Sequence, residues 1–187
     1  MAVQPTIIQK LYNGEVLIKF YEGQHKYTLN DSSDWLISVT SVTGLIDKSR
    51  VLIFWAINLT KKFLLALLSL GKNITIDDIE EACKQHTIKK QEAADTGTQI
   101  HAWIEQYIKT RPSQRQNLAL PEDEKVLNGV TAFLRWIKDY KVKFVASEKL
   151  VYSKQFGYVG LLDLKATING KLAIVDFKSS KDVYNEH

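Results

Sequence analysis

Apolar residues alternate with polar ones at both ends of the chain, and between those ends their spacing lengthens to that of helices. Residues 15–20 and 25–29 alternate at the period of strands, and Glu22-Gly23-Gln24 between them predicts a turn. Ser38-Val39-Thr40-Ser41-Val42-Thr43 is β-branched and rich in hydroxyls, which suits a short strand or a helix entry equally. Residues 50–70 predict a helix closed by Gly71. Thr75-Ile76-Asp77-Asp78 is a capping sequence for a helix running to about Lys90. A further helix is expected over 93–110, with Ile100, Ile104, Tyr107 and Ile108 as its apolar stripe. The polar stretch 111–120, with Pro112 in it, predicts a loop. Pro121 is expected in the first turn of a helix, with Glu122, Asp123 and Glu124 near its positive end. Its stripe is Val130, Phe133, Leu134, Ile137 and Tyr140. Strands are predicted over 144–152, 158–168 and 171–177. The order gives an α+β fold of sandwich type, expected as one domain over 1–187. A β-hairpin region covers 1–35, a mainly helical part 36–142 and a β-meander 143–187.

The meander carries the densest chemistry. Asn169-Gly170 between apolar runs is the signature of a two-residue type I′ hairpin turn. That turn sets a register in which Ile168 pairs with Lys171, Lys165 with Ile174, and Asp163 with Asp176. Residues directly opposite share a face, with Cβ atoms about 5 Å apart. Lys178, two positions past Asp176, points the same way. Two facing carboxylates repel, and a divalent cation removes the conflict; their hard oxygens suit Mg²⁺ or Mn²⁺. The continuous apolar run Leu172–Val175 predicts a strand buried on both faces, which makes an aspartate at its end harder to dismiss as surface. The competing reading pairs Lys178 with an acid in a plain salt bridge.

Thr98, His101 and Glu105 share a helical face, and imidazole can add a nitrogen ligand to such a site. A lone helical histidine is more often structural. Glu148, on the strand before the hairpin, can reach the same place as an extra acid. His25, His86 and His187 have no comparable context. The net charge of +4 and pI near 9.0 permit nucleic-acid binding without demanding it. A single cysteine, Cys83, excludes an internal disulfide or a four-cysteine metal site and fits a reducing compartment. No secretion signal is visible. Residues 51–70 are the membrane candidate, but Lys61 and Lys62 stand in the middle, so a buried or groove-lining helix is expected and no membrane partner.

Gly157-Tyr158-x-Gly160-x-x-Asp163 followed by Asp176-Phe177-Lys178 resembles the core motif of the PD-(D/E)XK nuclease superfamily. Gly97-Thr98-x-x-His101-x-x-x-Glu105 upstream is similar to a motif of its RecB-like exonuclease branch. Within that branch the chain resembles the mitochondrial genome maintenance exonuclease family and its phage relatives. The resemblance implies a restriction-endonuclease-like core, a mixed sheet flanked by helices with an N-terminal helical elaboration. It implies Asp163 and Asp176 as metal ligands and Lys178 as the catalytic lysine. His101 and the Phe177 carbonyl become further ligands, with Glu105, Glu148 and Thr98 as accessory groups. DNA, as single strands or duplex ends, is the implied substrate, and exonuclease action is favoured over endonuclease. Lys165, Ser179, Lys181, Arg50, Lys61 and Lys62 are the expected DNA contacts. A recombination or replication protein is the implied partner, and the cytoplasm of a bacterial or phage-infected cell the implied location. The branch usually continues into a helix bearing Gln-x-x-x-Tyr, and the sequence stops at His187 without it. Either the chain is truncated or it lacks that DNA-contacting element. Two rivals stand beside the nuclease: a nucleic-acid-binding module with a degenerate site, and a metal hydrolase of small phosphoesters.

Overall fold

A computed structural model describes residues 4–179 of the chain as two compact units. One contains the residues up to Ile46 together with Arg135–Phe177; the other contains Asp47–Leu134 with Lys178 and Ser179.

The first unit is built on sheets. Strands β1 (Ile7–Leu11), β2 (Val16–Tyr21) and β3 (Lys26–Leu29) form an antiparallel meander. The expected hairpin is β2–β3, turning through a short 3-10 stretch at Glu22–Gln24. Strand β1 was not foreseen, because Ile7-Ile8-Gln9-Lys10-Leu11 lacks clean alternation. It is anchored from outside its own meander: Gln9 donates to the Leu150 carbonyl and accepts from the Leu150 amide, each at 3.2 Å. Val16, Ile18 and Phe20 point inward and pack with Tyr27, Leu150 and Val159 as the core.

The second sheet of this unit is mixed. It contains β4 (Ile37–Ser38), β5 (Lys143–Tyr152), β6 (Tyr158–Ile168) and β7 (Lys171–Val175). Both readings of 38–43 hold in sequence: β4 ends at Ser38, whose Oγ caps helix α1 (Val39–Thr43) by accepting from the Ser41 amide at 3.0 Å. Asn169 and Gly170 have φ of 49° and 84°, the two left-handed residues of a type I′ turn. The register follows as predicted, with Ile168 opposite Lys171 and Lys165 opposite Ile174. The run 172–175 is not buried on both faces, however: Leu172 and Ile174, which share one face of the strand, are exposed, while Ala173 and Val175 on the other are half-buried.

The second unit is helical. Helix α2 (Ser49–Ser69) ends as expected, with the Gly71 amide bonded to Leu68 and the Lys72 amide to Leu67 in a Schellman arrangement. Of the two expectations the groove-lining one holds: none of its residues is buried, Ala56, Leu59, Thr60, Phe63, Leu64 and Leu67 form a half-buried stripe, and Ala56, Thr60 and Leu64 line a groove with Cys83 and His86. Thr60 ties α2 to helix α3 (Ile76–Lys109) by donating to the Ala82 carbonyl at 3.2 Å. α2 is long and apolar enough, by length and composition, to cross a membrane.

The two helices expected over 75–90 and 93–110 are one helix of 34 residues. Nothing between Lys90 and Ala93 breaks it, and Lys89–Glu92 and Gln91–Asp95 bridge the join at three- and four-residue spacing. At its end Arg115 donates to the carbonyls of Tyr107, Ile108 and Thr110, which would otherwise lack helical partners. Helix α4 (Glu124–Asp139) starts later than predicted. Asp123, not Pro121, defines its start, because its Oδ1 accepts from the amides of Lys125 and Val126 at 2.9 and 3.0 Å. Val126, Val130 and Phe133 are buried with Ile100 and Ile104 of α3 as the apolar centre of this unit.

Candidate metal centre

Strand β6 has one edge filled and the other divided. Strand β5 pairs with it from Val159 to Thr167. On the opposite edge β4 runs parallel beside Tyr158 and Val159, while β7 runs antiparallel beside Leu164–Ile168. Neither strand pairs with residues 160–163. Gly160 is needed at this break, since a Cβ there would lie 2.9 Å from Val39 Cγ2 of α1. Asp163, half-buried, stands at the other end of it.

The expected ladder pair of Asp163 and Asp176 does not form. Pairing stops at Leu164 opposite Val175, and the chain leaves the sheet there. Instead the Phe177 amide donates to Asp163 Oδ2 at 2.7 Å. The physical reason is the one that made the pair notable: a carboxylate gains from a main-chain donor and loses by facing a second carboxylate. The departure keeps Asp163 next to the Asp176-Phe177-Lys178 segment, with Asp176 and Lys178 exposed.

A second acid approaches from the other edge. Ser147 pairs with Leu164 and Lys149 with Leu162, so the residue between, Glu148, stands opposite Asp163. The two carboxylates offer oxygens within 4.8 Å of each other. Glu148 has φ of 47°, a left-handed backbone in the middle of a strand, where a side chain other than glycine costs roughly 1–2 kcal/mol. The register also slips between Phe144 and Ala146, just upstream. Such irregularities re-aim side chains near functional sites. Two hard carboxylates on neighbouring strands, with oxygens this close, form a pair that a divalent cation would relieve of its mutual repulsion. Sequence reasoning gave Glu148 only a secondary place; its alignment with Asp163 depends on the upstream bulge, which no residue pattern announces.

In the helical unit, α3 carries the Gly97–Glu105 segment. Gly97 is a close-approach position: a Cβ there would lie 2.9 Å from the hydroxyl of Ser179. His101 lies one turn further along α3 and is half-buried. Thr98 is exposed and donates back to the Ala94 carbonyl at 3.0 Å, while Glu105 is engaged by Lys109 in an ion pair one turn away. Those bonds satisfy Thr98 and Glu105 locally. Arg50, Lys61 and Lys62 are all exposed on α2, and Arg50 lies over the Phe54 ring at 6.0 Å. Trp55 on the same helix is 38% exposed. Lys165 is half-buried on β6, two residues from Asp163 and so on the same strand face. Lys181 lies outside the described residues.

No protein-family model matches this chain, and no curated protein matches it.

Proposed function

We propose that this chain is a metal-dependent deoxyribonuclease of the PD-(D/E)XK type, close to the RecB-like exonucleases, hydrolysing phosphodiester bonds at DNA ends or in single strands. The observation that carries the reading is the 2.7 Å bond from the Phe177 amide to Asp163 Oδ2. It draws together the two halves of a motif, Gly-x-x-Asp and Asp-x-Lys, that are separated in sequence by a hairpin. The Glu148 carboxylate beside Asp163 supports it independently of the motif. A mixed sheet carrying Glu148 and Asp163 agrees with the restriction-endonuclease-like core that the resemblance implies.

In this reading Asp163, Asp176 and Glu148 supply carboxylate oxygens to Mg²⁺ or Mn²⁺. The Phe177 carbonyl and His101 complete the set on the strength of the family likeness. Such an ion, when bound, lowers the pKa of a water and polarises the scissile phosphate. Lys178 orients that water and neutralises charge developing on the phosphoryl oxygens. One water is consumed: its oxygen bonds to phosphorus, the bridging P–O bond breaks, and the released sugar hydroxyl takes a proton. Lys165 and Ser179, with Arg50, Lys61 and Lys62 on α2, are proposed phosphate contacts, so binding weakens as salt rises. The working location is the cytoplasm of a bacterial or phage-infected cell.

The test uses end-labelled DNA, single- and double-stranded, linear and circular, with Mg²⁺, Mn²⁺ or EDTA. Metal-dependent release of short products from linear DNA, with circles left intact, is expected. Salt-sensitive binding with no cleavage under any metal would overturn the nuclease reading in favour of a binding module. Turnover of a generic phosphodiester without affinity for DNA would replace it with a small-substrate hydrolase.

A further inference from the structure

Past Val175 the ladder ends, so residues 176–178 take their position from other contacts. Two are visible in the sheet unit. The Phe177 amide is held by Asp163, and the Phe177 ring meets the indole of Trp136 edge-on, with centroids 6.2 Å apart and planes at 85°. Trp136 lies near the C-terminal end of α4, in the same unit as β6 and β7, and both rings are half-buried.

We propose that Trp136 is a positioning residue: its ring clamps Phe177 so that the Phe177 amide stays on Asp163 and the flanking Asp176 and Lys178 keep their places. The role rests on the nuclease reading for its effect on rate, but not for its effect on structure. An aromatic contact suits the task, because Phe177 is half-buried between two exposed functional neighbours, Asp176 and Lys178. The Phe177 ring can be gripped without engaging the carboxylate of Asp176 or the amine of Lys178. An offset of about 1 Å at such a segment can cost on the order of 100-fold in rate.

The experiment compares wild type with Trp136→Ala, Trp136→Phe and Phe177→Leu. Hydrogen exchange is read on the peptide covering 172–179, and initial cleavage rates are measured against DNA and Mn²⁺ concentration. Trp136→Ala is expected to speed exchange of the Phe177 amide and lower kcat at least about tenfold, with KM for DNA changed less than about threefold. Trp136→Phe, which keeps a ring, restores most of both, and Phe177→Leu behaves like Trp136→Ala. A folded Trp136→Ala protein with wild-type exchange at Phe177 overturns the proposal. So does an equal fall in Trp136→Ala and Trp136→Phe that tracks their loss of thermal stability. If Trp136→Ala does not fold, Phe177→Leu decides the matter by the same two readouts. Absence of cleavage by the wild type would sink the nuclease reading, while the exchange measurement would still decide whether Trp136 holds Phe177.

Discussion

Single residues in this protein record where side-chain chemistry and backbone comfort disagree. Thr28 is 3% exposed, and its hydroxyl is buried with no hydrogen-bond partner among the described residues. Replacing that hydroxyl by a methyl of the same shape removes a desolvated polar atom. Thr28→Val is therefore expected to raise stability by about 1 kcal/mol in urea unfolding; a fall would show that the hydroxyl is satisfied in solution. Glu148 presents the opposite case, a strained backbone retained at a site. Residue identity alone could not reveal it, because glutamate has no preference for φ of 47° and only the register opposite Asp163 gives the position meaning. Asp163, Asp176 and Lys178, by contrast, were legible as a group from the turn and the two-residue period. Their detailed relation was not, because the ladder stops one pair short.

Elements obeyed their end signals more faithfully than their lengths. The capping box at Thr75 and Asp78 is present, with Asp78 Oδ2 accepting from the Thr75 amide at 2.9 Å and from its hydroxyl at 2.6 Å. Those bonds, hydroxyl first, hold the Asp78 carboxyl below its ordinary value. A depressed folded-state pKa gives stability that is present above the unfolded value and lost as pH falls through the folded one. Residues 76–80 should thus lose protection against amide exchange, measured relative to intrinsic rates, as pH falls below the ordinary aspartate range, and Asp78→Asn should remove most of that change in protection. Helix α3 was read as two helices because the polar stretch around Gln91 has no apolar stripe, yet without proline or glycine nothing stops it. Where α4 meets α3, a Cβ on Gly129 would lie 2.5 Å from Ile100 Cδ1 and 3.0 Å from Cγ1. On propensity Gly129→Ala would stabilise by about 1 kcal/mol, but the clash reverses the sign. A net loss of about 1–2 kcal/mol is expected in thermal or urea unfolding, and a gain would show that Ile100 moves aside freely.

For the whole molecule, the α+β class and the strand-dense end were readable because period and turn chemistry act locally. The exposure of α2 was not readable. Its apolar composition suggests a covered helix, yet Leu52, Ile53 and Phe54 are each more than half exposed among the described residues. Strand β1 likewise depends on Gln9 reaching Leu150 far along the chain, a contact no local pattern encodes. The site shares this split between local and distant. Its hairpin was legible; the contribution of β5 and the grip of Trp136 on Phe177 were not. The central claim is that Asp176-Phe177-Lys178, held to Asp163, performs metal-dependent hydrolysis of DNA. The most direct measurement is the initial rate of Mn²⁺-dependent cleavage of end-labelled linear DNA by wild type, Asp176→Ala and Lys178→Ala, with folding checked by thermal melts. Metal-dependent cleavage by the wild type and a loss of at least about 100-fold in either folded variant are expected. Cleavage by Lys178→Ala or Asp176→Ala at the wild-type rate would contradict the central claim.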